Sequence, residues 1–355
     1  MSVPVRDLIK MAENQMAAAG CAEAKLDAEL LYRYLFGLDK VGFFKEWSRI
    51  LDDNSCERYF ELVERRASGV PLQYITGEQE FMGFSFAVDE SVLIPRQDTE
   101  VLVENVLEKI EDPAGPFAGK HDVKILDLCC GSGAIGISLA LLCDKAKVMC
   151  TDISEAAAET AEKNAKALGA EKRVGFAVGD LFEPFDKKLG KTKFDIIVSN
   201  PPYIKSEIIP TLQREVKDHE PLIALDGGAD GLDFYRRIVE EAPNYLKKGG
   251  VLFMEIDCSQ AEDIAGLVRG EIAEDSAVSA KNSAVSAGDE ELEAFEGAEE
   301  ADEAAVKEKK PSRAERSAAK KEERRKKKEK HFTDIEVVKD LAGRDRVVVL
   351  KGEGA

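Results

Sequence analysis

Four consecutive residues, Asn200-Pro201-Pro202-Tyr203, follow directly on an apolar run, FDIIVSN, that reads as a strand. Two adjacent prolines lack N–H groups, stiffen the chain and leave their carbonyls free as acceptors, and the Asn200 side-chain oxygen offers another. A planar NH2 group fits between such acceptors, and the Tyr203 ring supplies a face on which a flat amide or base can stack. Adenine, guanine and a glutamine amide all present such a nitrogen, weakly nucleophilic because its lone pair is delocalised. The motif therefore defines a type of acceptor more closely than one molecule, and on its own it is also compatible with a plain proline turn.

A second constellation lies upstream. GSGAIG, Gly131 to Gly136, follows a strand-like run and opens a helix, and an acid, Asp152, ends the next strand. Glycines there permit a tight turn and close backbone approach, a helix N-terminus welcomes negative charge, and Asp152 can accept hydrogen bonds from ribose hydroxyls. Two nucleoside cofactors compete for such a loop, a nicotinamide dinucleotide and S-adenosylmethionine. Asp127 lies just before the turn, where a carboxylate repels a pyrophosphate but can pair, directly or through water, with the cationic amino-acid end of a sulfonium cofactor. The acid favours S-adenosylmethionine. A P-loop is excluded because no Gly-Lys-Ser/Thr follows the turn. Asp180, ending a third strand in AVGDLF, is placed to accept a hydrogen bond from an adenine amino group. With a methyl donor in that position, the NPPY loop would polarise the acceptor N–H bonds and aim the lone pair at the methyl, so that catalysis is positioning and electrostatics without a separate strong base.

The elements that must position these residues follow from periodicity. VKILDL, GAIGISLALL, AKVMCTDI, SEAAAETAEKNAKAL, RVGFAVGD, FDIIVSN, DFYRRIVEEAPNYL and GGVLFMEI alternate strand-like and helix-like patterns, the signature of a mostly parallel α/β sheet whose ligands sit beyond the carboxyl ends of the strands. Residues 1–70 instead repeat helical patterns broken by Gly20, Gly37 and Gly69: Leu8, Ile9 and Met11, then Leu26, Leu30, Leu31 and Tyr34, then Tyr59, Leu62 and Val63. From Pro71 to Ile94 short β-type runs with Gly77 and Gly83 predict a connecting hairpin, and a helix is expected from Thr99 to about Ile110. The organisation is thus a helical domain over 1–70, a hairpin connector over 71–96 and an α/β domain over 97–355, interrupted at about 271–330.

That interruption is compositional. Residues 271–305 hold 12 acidic side chains against one lysine, and residues 306–330 hold 13 basic side chains against five glutamates. Such a stretch lacks the apolar residues to fold alone and reads as a disordered excursion ahead of the last two strands.

Composition excludes several classes. A chain of 355 residues suggests about two domains. Its 50 basic and 69 acidic side chains give a net charge of −19, which disfavours a phosphate backbone as the main partner of the folded part. Seven cysteines, none in metal spacing, read as buried reduced thiols, and three histidines leave little for a metal site, so none is expected. Cys129–Cys143, the longest weakly polar run, is too short to span a membrane, and Met1–Lys10 has no secretory pattern. A monomer in the cytoplasm is expected.

The flanking sequence narrows the acceptor. DAELL (Asp27–Leu31), PLQYITGEQEFMG (Pro71–Gly83), LIPRQDTEVLVE (Leu93–Glu104), EVKDHEPLIALDGGADGLDFYRRI (Glu215–Ile238), MEID from Met254, Gln260 and DLAGRDRVV (Asp340–Val348) occur in the order seen in the bacterial release factor glutamine methyltransferases, the PrmC/HemK family, which the chain resembles over nearly everything but the insert. The resemblance implies a Rossmann-like, seven-stranded class I S-adenosylmethionine-dependent methyltransferase domain preceded by a small all-α domain that recognises the substrate. It implies methyl transfer to the side-chain amide nitrogen of the glutamine in the GGQ motif of class I peptide chain release factors. Carried over residue by residue, Cys129, Cys130, Gly131, Ser132, Gly133 and Asp152 would hold the cofactor together with Asp127, and Asp180 and Leu181 would frame its adenine. Asn200, Pro201, Pro202 and Tyr203 would grip the glutamine, Asn200 also meeting the cofactor, and Arg96 and Glu100 would lie near the cleft. Three departures stand out. Cys129 replaces a usual glycine, acceptable where its φ is negative; Asp257 replaces a frequent glycine; and Leu181 replaces a larger ring in some relatives, which predicts looser adenine packing. The competing readings are an S-adenosylmethionine-dependent enzyme acting on an exocyclic amino group of RNA or DNA, a nicotinamide oxidoreductase, and a non-catalytic adaptor.

Overall fold

The computed structural model describes residues 3–185, 192–271 and 332–352. The charged insert expected at about 271–330 falls almost wholly outside them.

The N-terminal bundle comprises β1 (Val3–Pro4), α1 (Val5–Ala18), α2 (Ala24–Phe36), α3 (Lys40–Glu46), β2 (Ile50–Leu51), which pairs with β1, and α4 (Asp53–Ala67). Its core is Leu8, Ile9, Ala12 and Met16 of α1, Ala28, Leu31 and Tyr32 of α2, and Tyr59 and Val63 of α4. The face that α2 buries differs from the expected one: Leu26 and Tyr34 are exposed, and Asp27 goes inside instead. The reason is a partner that periodicity cannot see, the buried Arg66 of α4, whose Nε donates to Asp27 at 2.8 Å. Met11 is exposed as well, on the outer face of α1.

The connector also departs from the sequence expectation at its start. Leu72–Thr76 forms a short helix, α5, ended by Gly77 at φ 78°, because Pro71 fixes the entry angle and the Pro71 carbonyl takes the first intrahelical bonds. Only then comes the hairpin, β3 (Glu78–Phe81) and β4 (Phe84–Ala87), turning through Met82 at φ 52° and Gly83 at φ 77°. A 3-10 turn over Gln97–Thr99 leads into α6 (Glu100–Glu111).

The α/β domain then runs β5 (Val123–Leu128), α7 (Ala134–Leu142), β6 (Ala146–Asp152), α8 (Glu155–Ala167), β7 (Val174–Val178), β8 (Phe194–Ser199), α9 (Arg214–Lys217), α10 (Asp233–Glu241), β9 (Leu246–Glu255), α11 (Ala261–Arg269), β10 (Phe332–Lys339) and β11 (Asp345–Gly352). The seven strands lie in the order β10-β11-β9-β8-β5-β6-β7. Neighbours from β9 to β7 are parallel, and β11 is antiparallel to both β9 and β10. The central strands β5 and β8 are buried on both faces, as their apolar runs require, with separate clusters above and below the sheet, while the edge strand β10 is largely exposed.

This order positions the site. From β5 the chain moves outward to β6 and β7, then returns across β5 to β8, so the strand order reverses between β5 and β8. In α/β sheets such a reversal is where a ligand crevice forms outside the carboxyl ends of the strands, and the loops after Leu128 and Ser199, which are register partners, flank that place here. All seven cysteines are free, but not all are buried: Cys56, Cys130, Cys143 and Cys150 are inside, Cys21 and Cys129 are half-buried, and Cys258 is exposed.

Candidate active site

The loop from Cys129 to Gly133 winds tightly around the end of β5. Cys129, Gly131 and Gly133 all have positive φ, at 58°, 52° and 78°. Gly133 needs that freedom twice over, since a Cβ there would also meet Ile137 at 2.7 Å. The negative φ expected at Cys129 is not found: the structure places the residue in the left-handed region, which glycine reaches without strain. Its thiol is pushed well up by burial and by the nearby Asp152.

Two carboxylates fix the loop. Asp152 Oδ2 accepts the Gly131 N–H at 2.8 Å and Oδ1 accepts the Ser154 N–H at 2.9 Å, while burial raises its pKa. Each oxygen retains a lone pair for a further donor. Asp127 is fully buried; Oδ2 accepts the Gly136 N–H at 2.9 Å, whereas Oδ1 meets no hydrogen-bond partner among the described residues. Burial pushes this carboxyl up to about 7. Ser132 is anchored from outside the loop: its carbonyl accepts Asn164 Nδ2 at 2.9 Å, and the same side chain exchanges hydrogen bonds with the N–H and C=O of Ala87 on the hairpin, at 2.8 and 3.0 Å. Cys130 is buried beneath the loop.

At the third strand, Asp180 Oδ2 is taken by Arg237 at 2.8 Å, leaving Oδ1 for another donor, and Leu181 is buried at φ 48°. Ile153, half exposed beside Asp152, adds an apolar surface on the same rim that sequence reasoning passed over.

Across the crevice, Asn200 leaves β8 with its Nδ2 donating to Thr99 Oγ1 at 3.3 Å. Pro201 and Pro202 are buried and Tyr203 is half-buried, its hydroxyl pushed up by burial and the neighbouring Glu255. The segment after α9 clamps this loop. Ile204 donates to Leu225, Gly227 donates to Ile204 at 2.8 Å, and the Tyr203 carbonyl accepts Gln260 Nε2 at 3.2 Å. A Cβ on Gly227 would sit 2.7 Å from Tyr203 Cα, so only glycine lets the two backbones touch.

Of the remaining expected residues, Arg96 pairs with the buried Glu220, and its side chain is 41% exposed, enough to reach a ligand. Glu100 turns one oxygen towards the hairpin, accepting the Met82 N–H at 2.7 Å. Among the described residues no group of three or more His, Cys, Asp or Glu side chains is gathered to hold a metal.

The arrangement offers two functions side by side. One wall has a buried carboxylate oxygen without a partner, a second carboxylate with spare lone pairs and a glycine loop, which fit a nucleoside carrying a cationic amino-acid end. The opposite wall has a fixed amide oxygen and proline carbonyls, suited to a planar NH2 group. Thr99, Asn164, Gln260 and Glu255 were missed as site residues; Thr99, Gln260 and Glu255 lie within motifs that the sequence singled out, and no local signal marks Asn164.

Comparison with known proteins adds the following. Residues 7–77 match the family model described as the PrmC N-terminal domain, and residues 120–329 match one described as a methyltransferase domain. A protein named release factor glutamine methyltransferase from Clostridium acetobutylicum is 42% identical over 246 residues, covering 69% of this chain and 83% of that protein. Proteins of the same name from Geobacter sulfurreducens and Bacillus anthracis are 43% identical over 263 residues and 46% over 241, covering 74% and 68% of this chain and 87% and 82% of theirs.

Proposed function

The chain belongs to the release factor glutamine methyltransferase family, and on that premise we propose that it methylates the side-chain amide nitrogen of the GGQ glutamine in class I peptide chain release factors. It is an S-adenosylmethionine-dependent methyltransferase. When bound, that cofactor supplies an electrophilic methyl group.

The protein's own residues do the rest. Cys129 to Gly133 cradle the nucleoside, with Asp152 accepting from ribose hydroxyls and the free oxygen of Asp180 accepting from adenine, against Leu181. Asp127 offers its unpartnered oxygen, directly or through water, to a cationic amino group. Asn200 Oδ1 and the Pro201 carbonyl accept the two N–H bonds of the substrate amide, Tyr203 lies against its plane, and the nitrogen lone pair is thereby aimed across the crevice. Fixed acceptors cost no reorganisation during the reaction, which is where such a site gains its rate. Arg96 is a contact for the substrate main chain at the rim.

The observation that supports this reading is Asn200, whose NH2 end is engaged by Thr99, which leaves its oxygen to accept from another donor. No described helix is long and apolar enough to cross a membrane, and the overall negative charge supports a protein rather than a nucleic-acid substrate; the reading includes a monomer that works in the cytoplasm. The test is methyl transfer from labelled S-adenosylmethionine to purified release factor, wild type beside a GGQ-to-GGE variant, with the modified peptide located by mass spectrometry. Label on the wild-type glutamine alone is expected. Label absent from release factor but present on RNA would replace this reading with the nucleic-acid one.

A further inference from the structure

An asparagine side chain is ambiguous: turned by half a rotation it presents NH2 where it presented oxygen. A site that must accept hydrogen bonds from a substrate NH2 has to forbid that rotation. The register between β8 and β9 shows how. Ser199 is paired with Met254, so the next residues, Asn200 and Glu255, stand at the same level at the ends of adjacent strands. Glu255 is 1% exposed, and its Oε2 has no hydrogen-bond partner among the described residues. The Thr99 hydroxyl and the Asn200 amide both face the Glu255 carboxyl and favour its charged form.

We propose that Glu255 is a positioning residue for the methyl acceptor: with the Thr99 hydroxyl it holds the NH2 end of Asn200, leaving Oδ1 directed at the substrate amide. The inference rests on the glutamine-amide reading of the site and deepens it. An ionised carboxylate only accepts hydrogen bonds, so it opposes the flipped rotamer by setting two oxygens against each other. A protonated Glu255 loses that discrimination, because its O–H can donate to Asn200 Oδ1 and hold the flipped form.

Glu255 titrates in a defined company. Arg346 on β11 favours its charged form, as do Thr99 and Asn200, while Asp98, ahead of α6, opposes it; burial dominates and pushes the carboxyl up to about 7. Tyr203, Asp257 and Tyr235 also stand near, and the two tyrosines are themselves raised by burial and stay neutral across the range concerned. The positioning form therefore gains population as pH rises through neutrality.

The test uses Glu255→Gln, which keeps the shape and offers an NH2 in place of an acceptor, with Thr99→Val as a second variant. Two measurements are made on the full chain: the side-chain amide resonances of Asn200 against pH, and kcat, KM and cofactor affinity for release factor methylation. In the wild type the Asn200 resonances shift with a midpoint near neutral pH, and kcat rises across the same midpoint with cofactor affinity steady. Glu255→Gln abolishes both titrations and lowers kcat on the order of 100-fold, the cost of misplacing a reacting group; Thr99→Val lowers kcat less. Asn200 resonances insensitive to pH, or a Glu255→Gln enzyme with wild-type kcat and pH profile, would overturn the proposal. If Asn200 titrates with Glu255 yet release factor takes no methyl, the positioning role stands and the proposed function fails; if methyl transfer proceeds and Asn200 ignores Glu255, the positioning role alone fails.

Discussion

The Arg66 guanidinium on α4 stands 2.7 Å from the Glu215 carboxylate on α9. One arginine of the helical bundle thereby grips the segment that follows the NPPY loop, while its Nε satisfies the buried Asp27 within its own bundle. Removing it leaves Asp27 as an uncompensated buried charge. Arg66→Ala is expected to lower stability by about 3–5 kcal/mol, as when one member of a buried pair is deleted. Urea unfolding measures this, and an Arg66→Ala protein with an unchanged midpoint would show that the pair contributes nothing.

The two walls of the crevice should separate by mutation. Asn200→Ala is expected to cut kcat strongly while leaving cofactor affinity within about twofold, since its amide faces the acceptor. Asp152→Ala is expected to weaken cofactor binding by roughly 1.5–3 kcal/mol, the worth of a hydrogen bond to a charged group. Calorimetric titration with S-adenosylhomocysteine beside steady-state kinetics checks both, and equal cofactor affinity in the two variants would sink this division of labour.

Cys129 at φ 58° carries left-handed strain of about 1–2 kcal/mol that glycine avoids, offset by glycine's greater entropy loss of about 0.5–1 kcal/mol. Cys129→Gly should accordingly fold with stability within about 1 kcal/mol of wild type and keep its cofactor affinity. Cys129→Val, with a β-branched side chain in the same conformation, should lose more than about 1 kcal/mol. Thermal melts in the presence and absence of S-adenosylhomocysteine would show it; a Val variant as stable as the Gly variant would mean that the loop relaxes freely.

Gly227 is the steric probe of the NPPY loop. A methyl group there must displace Tyr203, whose Cα it would approach to 2.7 Å. Gly227→Ala is expected to reduce kcat about 10- to 100-fold with little change in cofactor affinity, because a displacement near 1 Å is enough to misplace the acceptor. An Ala variant with wild-type kcat would show that the loop has slack.

Stability should carry a pH signature from two acids. Asp127 and Glu255 rise from ordinary values of 3.8 and 4.5 to about 7 in the folded state. Between those limits the folded chain holds protons that the unfolded chain has released, so their contribution is present below about pH 4 and is lost as pH rises through about 7. Asp127→Asn removes its share. The difference in Tm between wild type and Asp127→Asn is therefore expected to move in favour of the variant between pH 4.5 and 7.5; a difference independent of pH would show that Asp127 titrates normally.

What could be read from the sequence was whatever the chain declares locally. The glycine turn after β5, the acid ending β6 and the NPPY run after β8 each lie within a few residues of a strand end, and the mostly parallel sheet that unites them follows from a recurring alternation, though its strand order does not. Residues that act across elements were hidden. Thr99 reaches Asn200 only because the 3-10 turn before α6 is brought against the end of β8. Glu255 meets Asn200 through a register that no periodicity encodes. Asp27 goes inward on α2 because Arg66 waits there, which shifts the buried face of that helix, keeping Leu31 inside and leaving Leu26 and Tyr34 outside. The sequence names the backbone angle at Cys129 as what decides its cost, but only the fold shows its sign, which is positive.

Asn164 spans from Ser132 to both main-chain groups of Ala87, and Glu100 reaches back to Met82. The hairpin is consequently no spacer between two independent bodies. A fragment beginning at α6 would keep the cofactor loop and the NPPY run, yet lose Arg96 and Thr99, strand a buried amide and unfasten the loop that cradles the nucleoside. The smallest piece able to stand as a working catalyst begins upstream of Glu78, so minimal versions and fusions of this enzyme should be cut there and no later.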